Sequence, residues 1–256
     1  MNRILPFIPE RPGKPRNSGL TMVMDKGLSV REAEDFMSVG SEYTDYVKLG
    51  FGTSLITPRL SEKIKLYKAA GVIPYFGGTL FEAFIIRNMF PEFLTFIDTN
   101  EIELVEVSDG SYDLEHSRKL DYINKLAERG TVISEVGSKK KEVVYTPDEW
   151  VAMMKAELDA GSDKVIAEAR ESGTTGIYNE DGSINNMIIS AISEHVKLEN
   201  VIWEAPLKSQ QAWFIKHFGA NVNLGNISPA EIIPLESLRL GLRGDTFFQF
   251  LPEDLK

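Results

Sequence analysis

Apolar stretches with no polar face recur along the chain at residues 20–24, 46–49, 72–75, 102–107, 131–136, 164–169, 201–205 and 220–224. Runs of this length suit strands buried on both sides, as in a parallel sheet. Between them the period changes. Leu120, Ile123 and Ala127 recur at helical spacing, as do Val151, Met154 and Leu158. Ser29-Val-Arg-Glu32, Thr146-Pro-Asp-Glu149 and Ser228-Pro-Ala-Glu231 have the form of capping boxes, the last two with proline at the first helical position. Gly71, Gly130, Gly161 and Gly219 stand where helices should stop before the next strand. Strand–helix alternation without a break in composition predicts one closed (β/α)8 TIM barrel over residues 18–256. An open doubly wound sheet is the alternative.

Four strands carry a glutamate close to their ends: Leu-Val-Glu106-Val, Ile-Ser-Glu135-Val, Ile-Ala-Glu168-Ala and Ile-Trp-Glu204-Ala, at spacings of 29, 33 and 36 residues. A carboxylate inside an apolar strand is costly unless it is paired or binds a cation. Four of them at the end where barrel enzymes place their sites predict a metal-binding mouth. The alternative is a ring of carboxylates neutralised by Lys26, Lys48 and Arg170.

Composition narrows the chemistry. Hydrophobic residues are 43% and charged residues 26% of the 256, as in an ordinary globular chain. Acidic side chains outnumber basic ones by 38 to 28, a net charge of −10, which disfavours a nucleic-acid partner. With no cysteine there is no thiol nucleophile, disulfide or thiolate-bound metal. No apolar run approaches the roughly 18 residues of a membrane span, and a cytoplasmic protein is expected. Residues 1–17 join a short apolar stretch, broken by Pro6 and Pro9, to Arg11, Lys14 and Arg16. That order does not fit a signal peptide. It suits a proline-stiffened arm lying on the body or on a neighbouring subunit, or else a loose tail.

The strand ends read Met24-Asp25-Lys26-Gly27, Lys48-Leu-Gly50-Phe-Gly52-Thr53-Ser54, Tyr75-Phe-Gly77-Gly78-Thr79 and Glu106-Val-Ser108-Asp109-Gly110-Ser111. They continue with Ser134-Glu135-Val-Gly137, Glu168-Ala-Arg170-Glu171-Ser172-Gly173, Glu204-Ala-Pro206-Leu-Lys208-Ser209 and Asn223-Leu-Gly225-Asn226-Ile227. In this order, over residues 19–247, they resemble the phosphosulfolactate synthase family. The resemblance implies a (β/α)8 barrel that joins sulfite to phosphoenolpyruvate, giving (2R)-phospho-3-sulfolactate with Mg²⁺, a product leading to coenzyme M or to sulfolactate. Some relatives have no clear activity, so family and reaction are separate questions. Two other readings stay open: another barrel enzyme acting on a phosphorylated carboxylic acid, and a non-catalytic anion-binding relative.

The implied reaction is a conjugate addition. Sulfite needs no side-chain nucleophile, and charge develops on the substrate carboxylate, where a divalent cation acts as a Lewis acid. Mg²⁺ takes hard oxygen ligands. Glu135 and Glu168 are expected first, then Glu106 and Glu204. Two anions entering an acidic protein need local cations, and Lys26, Lys48, Arg170 and Lys208 are candidates, with Ser172 beside them. Gly225-Asn226-Ile227-Ser228 is expected to open the last helix and to cradle phosphate on its N–H groups. Protonation at C2 needs a tuned acid. Lys139, with Lys140 and Lys141 beside it, is expected to be that acid. Lys48, inside strand two, is expected to orient charge or serve as counter-ion.

Residues 171–184 form a lid or a passive loop. His116, His195 and His217 fall in helices and are given no chemistry. Met22 and Met24 should fill the barrel, Trp150, Trp203 and Trp213 should pack, and Arg243-Gly-Asp245 should order the C-terminal tail. Barrels often associate through their outer helices, so a homo-oligomer is expected.

Overall fold

The computed structural model describes residues 5–137, 144–169, 172 and 176–256. Within them the strands β1 (Thr21–Asp25), β2 (Tyr46–Leu49), β3 (Ile73–Phe76), β4 (Leu104–Val107), β5 (Thr131–Val136), β6 (Lys164–Ala167), β7 (Val201–Glu204) and β8 (Leu224–Ile227) pair in chain order. All pairs are parallel and β8 returns to β1, so the sheet closes into a barrel. Closure excludes the open-sheet alternative.

The helices α1 (Val30–Gly40), α2 (Leu60–Ala69), α3 (Gly78–Ile85), α4 (Phe90–Thr99), α5 (His116–Ala127), α6 (Pro147–Asp159), α7 (Asn186–His195), α8 (Lys208–Phe218) and α9 (Ile232–Arg239) surround it. The β3–β4 crossover carries two of them, α3 and α4. Ser29 caps α1 and Thr146 caps α6, each as a complete capping box.

Apolar residues fall into two layers because strand side chains alternate between faces. One layer packs sheet against helices and includes Val47, Val107, Trp150 and Trp203, the last stacked on Phe214 and Phe218. The other fills the barrel interior with Leu20, Met22, Tyr75, Leu104, Ile133, Ile166 and Ile202. That plug is the floor on which the polar residues of the carboxyl-terminal mouth stand.

Two sequence expectations need correction around β8. The strand lies at Leu224–Ile227, not at 220–224. Ala220 and Val222 are buried, which imitates a strand pattern, but their carbonyls accept from Nη1 of buried Arg239, each at 2.7 Å, instead of joining the ladder. The Ser228 capping box also does not form. Pro229–Glu231 is a 3-10 turn with no side-chain cap, and α9 begins only at Ile232. Gly225 and Asn226 therefore belong to the strand and do not open a helix.

The arm runs over the amino-terminal end of the barrel. Arg11 pairs with Glu236 at 2.9 Å and donates to the Gly19 carbonyl at 2.9 Å, while also meeting Asn221. Arg16 pairs with Asp45 at 2.8 Å, and Lys14 donates to the carbonyls of Ser41 and Thr44. Among the described residues, no helix is long and apolar enough to cross a membrane.

Candidate functional site: a carboxylate-lined barrel mouth

Lys48 is the centre of the site. It sits on β2 between Val47 and Leu49, which face the helices, so its own side chain points into the barrel, in register with Met24 of β1 and Tyr75 of β3. Its ammonium lies 3.0 Å from Glu106, 3.1 Å from Glu135 and 3.5 Å from Glu204. All four groups are buried. Burial alone would pull the Lys48 pKa down. The three carboxylates outweigh it and raise the pKa well above the ordinary lysine value, so Lys48 is held as a cation.

Glu106 experiences the opposite balance. Burial pushes its carboxyl up, against Lys48 and a Gly78 N–H that donates to Oε1 at 2.5 Å, and the net shift is upward. The buried Tyr75 hydroxyl lies beside it, and burial together with the Glu106 charge pushes that hydroxyl's pKa well above the ordinary tyrosine value. Glu204 accepts from the Ala169 N–H at 2.8 Å, and its own carbonyl accepts from the Tyr178 hydroxyl at 2.5 Å.

Glu135, Glu168 and Glu204 each offer one oxygen, and these oxygens lie within 4.8 Å of one another. Three buried carboxylate oxygens at that separation are a donor set for a hard divalent cation. The residues present thus fit Mg²⁺. Glu106 is not in this group; it faces Lys48 and the start of α3.

Above the carboxylates opens a cavity of about 390 Å³. Lys48, Glu135, Glu168 and Glu204 line its base, Met24 and Phe51 give it apolar walls, and Thr79, Ser111, Ser172 and Asn226 bring neutral polar groups. Asn226 stands in the left-handed region, φ 57°, and its buried Oδ1 has no partner.

Of the residues singled out from the sequence, Lys48, Glu106, Glu135, Glu168, Glu204, Ser172 and Asn226 thus converge on this mouth. Three others are not among the residues that line the cavity. Lys26 is exposed in the turn after β1. Lys208, nearly half exposed at the start of α8, pairs with Asp245 at 3.1 Å. Gly225 faces packing, since a Cβ there would meet Met22 Cε at 2.7 Å and Ile202 Cγ2 at 3.0 Å. Lys139 and Arg170 lie outside the described residues, as do 171 and 173–175 of the expected lid. None of the three histidines lines the cavity.

Sequence reasoning quoted Phe51, Tyr75, Gly78, Thr79 and Ser111 within the strand-end peptides but gave none of them a role. The paired glycines before Thr79 were the available signal: a Cβ on Gly78 would stand 2.8 Å from Glu106 Oε1 and 2.2 Å from Ser108 Oγ. Only a bare backbone lets the start of α3 approach that carboxylate.

Known proteins resemble this chain over most of its length. Residues 9–245 match the family described as (2R)-phospho-3-sulfolactate synthase. A phosphosulfolactate synthase of Methanothermobacter thermautotrophicus is 41% identical over 252 residues, covering 96% of this chain and 98% of the relative. One from Bacillus subtilis is 39% identical over 251 residues, covering 97% and 100%. Among solved structures, 3-hexulose-6-phosphate synthase of Salmonella typhimurium superposes with a TM-score of 0.56 at 13% identity, covering 88% of this chain and 100% of that one, a likeness of fold alone. With a family match across most of its length and relatives of this similarity, the chain belongs to the (2R)-phospho-3-sulfolactate synthase family.

Proposed function

We propose that this barrel mouth joins sulfite to phosphoenolpyruvate, forming (2R)-phospho-3-sulfolactate with Mg²⁺ held by Glu135, Glu168 and Glu204. The observation that carries this reading is the meeting of those three carboxylates with Lys48 at the base of a cavity, in a chain of that family. In the reaction the sulfur lone pair of sulfite bonds to C3, the C2–C3 π electrons move toward the substrate carboxylate, and a proton is delivered to C2. Mg²⁺, when bound, stabilises the charge that develops on that carboxylate.

The chain's own groups do the rest. Lys48 supplies fixed positive charge at the base of the cavity, which offsets part of the charge of its carboxylate neighbours. Thr79, Ser111, Ser172 and Asn226 can donate hydrogen bonds to substrate oxygens and orient them. The apolar Met24 and Phe51 limit water around the reacting carbons. Because its carboxylate neighbours keep Lys48 protonated, Lys48 is a poor proton donor, and the reading assigns C2 protonation to Lys139 and anion binding to Arg170.

The test is phosphoenolpyruvate consumption by the purified protein. The reading predicts consumption that requires sulfite, stops with a metal chelator and resumes with added Mg²⁺, while borohydride traps no adduct. Chelator-insensitive turnover with borohydride inactivation would replace it with a Schiff-base lysine mechanism.

A further inference from the structure

Behind β5, on the helix side of the sheet, α5 buries a second lysine. The Lys119 side chain is 1% exposed and its ammonium has three partners: Asp109 Oδ1 at 2.8 Å, Glu157 Oε1 at 2.7 Å and the main-chain carbonyl of Glu135 at 2.6 Å. An ammonium has three N–H bonds, so each is used. Asp109 belongs to the loop after β4, two residues before the cavity-lining Ser111. Glu157 lies on α6 and also meets His116 at 3.3 Å. One cation thus ties together the loop after β4, the end of β5 and helix α6.

This costs more than packing requires. A buried lysine with two carboxylates is no more stabilising than apolar residues of the same volume, so its presence needs a reason other than stability. The bond to the Glu135 carbonyl supplies one. It fixes the peptide plane that follows Glu135, and with it the direction in which that residue's Cα–Cβ bond enters the barrel.

We infer that Lys119 is a positioning residue for divalent-cation binding: through the Glu135 carbonyl it aims the Glu135 carboxylate at the oxygens of Glu168 and Glu204. The inference rests on the reading of Glu135 as a cation ligand. Partners one shell behind a ligand typically change metal affinity 10- to 100-fold.

The probe is Mn²⁺ binding to the substrate-free full-length protein, followed by electron paramagnetic resonance of the free ion. Lys119→Met takes the ammonium away from half-buried Asp109 and buried Glu157, so a second variant combines it with Asp109→Asn and Glu157→Gln. Both are expected to bind Mn²⁺ about tenfold more weakly. The combined variant should recover thermal stability without recovering affinity, and at saturating Mg²⁺ the KM for phosphoenolpyruvate should stay near that of the unaltered protein. In the unaltered protein, Mg²⁺ addition should shift the Lys119 ammonium resonance in nuclear magnetic resonance.

A folded combined variant with unaltered Mn²⁺ affinity overturns the inference, as does a Lys119 resonance that ignores bound Mg²⁺. Unaltered protein that binds no Mn²⁺ overturns the cation reading itself, and the positioning role with it.

Discussion

At the scale of single residues, cost made the site visible. Glu106 and Glu135 interrupt apolar strands, Glu204 ends one and Glu168 directly follows one, where an ionised carboxylate is unfavourable, and the structure places all four at one mouth. Removing one charge from the group that fits a cation should therefore be severe. Glu168→Gln is expected to lower kcat/KM at least about 100-fold, roughly 3 kcal/mol of transition-state stabilisation, with the fold intact by circular dichroism. Near-normal kinetics would take Glu168 out of the donor set. At Gly225 the same reasoning misplaced the local structure, since the residue lies within β8 and opens no helix. A glycine after a strand suggests an anion cradle, yet Met22 and Ile202 press against this one inside the barrel. Gly225→Ala should cost about 1–3 kcal/mol of stability through overpacking, readable as a fall in denaturant midpoint. Gly78→Ala should instead act on the site, because the new methyl displaces Glu106 and Ser108. Its expected signature is lost activity out of proportion to lost stability.

At the scale of elements, caps were legible wherever local chemistry decided the outcome. Thr146 and Glu149 close a reciprocal box on α6, and Ser29 and Glu32 do the same on α1. The hydrogen bonds from Thr146 hold the Glu149 carboxyl below the usual glutamate range, as those from Ser29 do for Glu32. A depressed carboxyl pKa gives stability that is present above the unfolded-state pKa and is lost as pH falls through the folded-state one. Thr146→Ala should lower Tm by a few degrees at neutral pH, and the difference from the unaltered protein should shrink in acid. A difference independent of pH would refute the hold of the Thr146 hydroxyl on the Glu149 carboxylate. β8 was misread because the deciding partner lies outside the local window of the strand pattern. Arg239 takes the Ala220 and Val222 carbonyls from 19 and 17 residues away, and nothing next to those residues announces it.

At the scale of the whole molecule, alternation specified the barrel because its strands are local apolar runs joined by local helices. The ties between distant segments were not legible. Lys119 reads as one more charged position on an amphipathic helix, and only the folded chain brings it behind Glu135. The arm is similar: Arg11 is 225 residues from the Glu236 it pairs with. Arg11→Ala leaves Glu236 buried without that cation and should cost about 3 kcal/mol, seen as a lower Tm. Because the arm covers the end of the barrel opposite the cavity, kcat and KM at low temperature should hold. A kinetic defect without destabilisation would contradict that separation. The central claim concerns the opposite end, where the proposed reaction requires two anions to meet in an acidic protein. It is tested most directly by phosphorus nuclear magnetic resonance of purified protein with phosphoenolpyruvate, sulfite and Mg²⁺. The account predicts that the phosphoenolpyruvate signal gives way to one new phosphate ester, without orthophosphate, and only when all three are present. An unchanged spectrum, release of orthophosphate, or a product that forms without sulfite would contradict it.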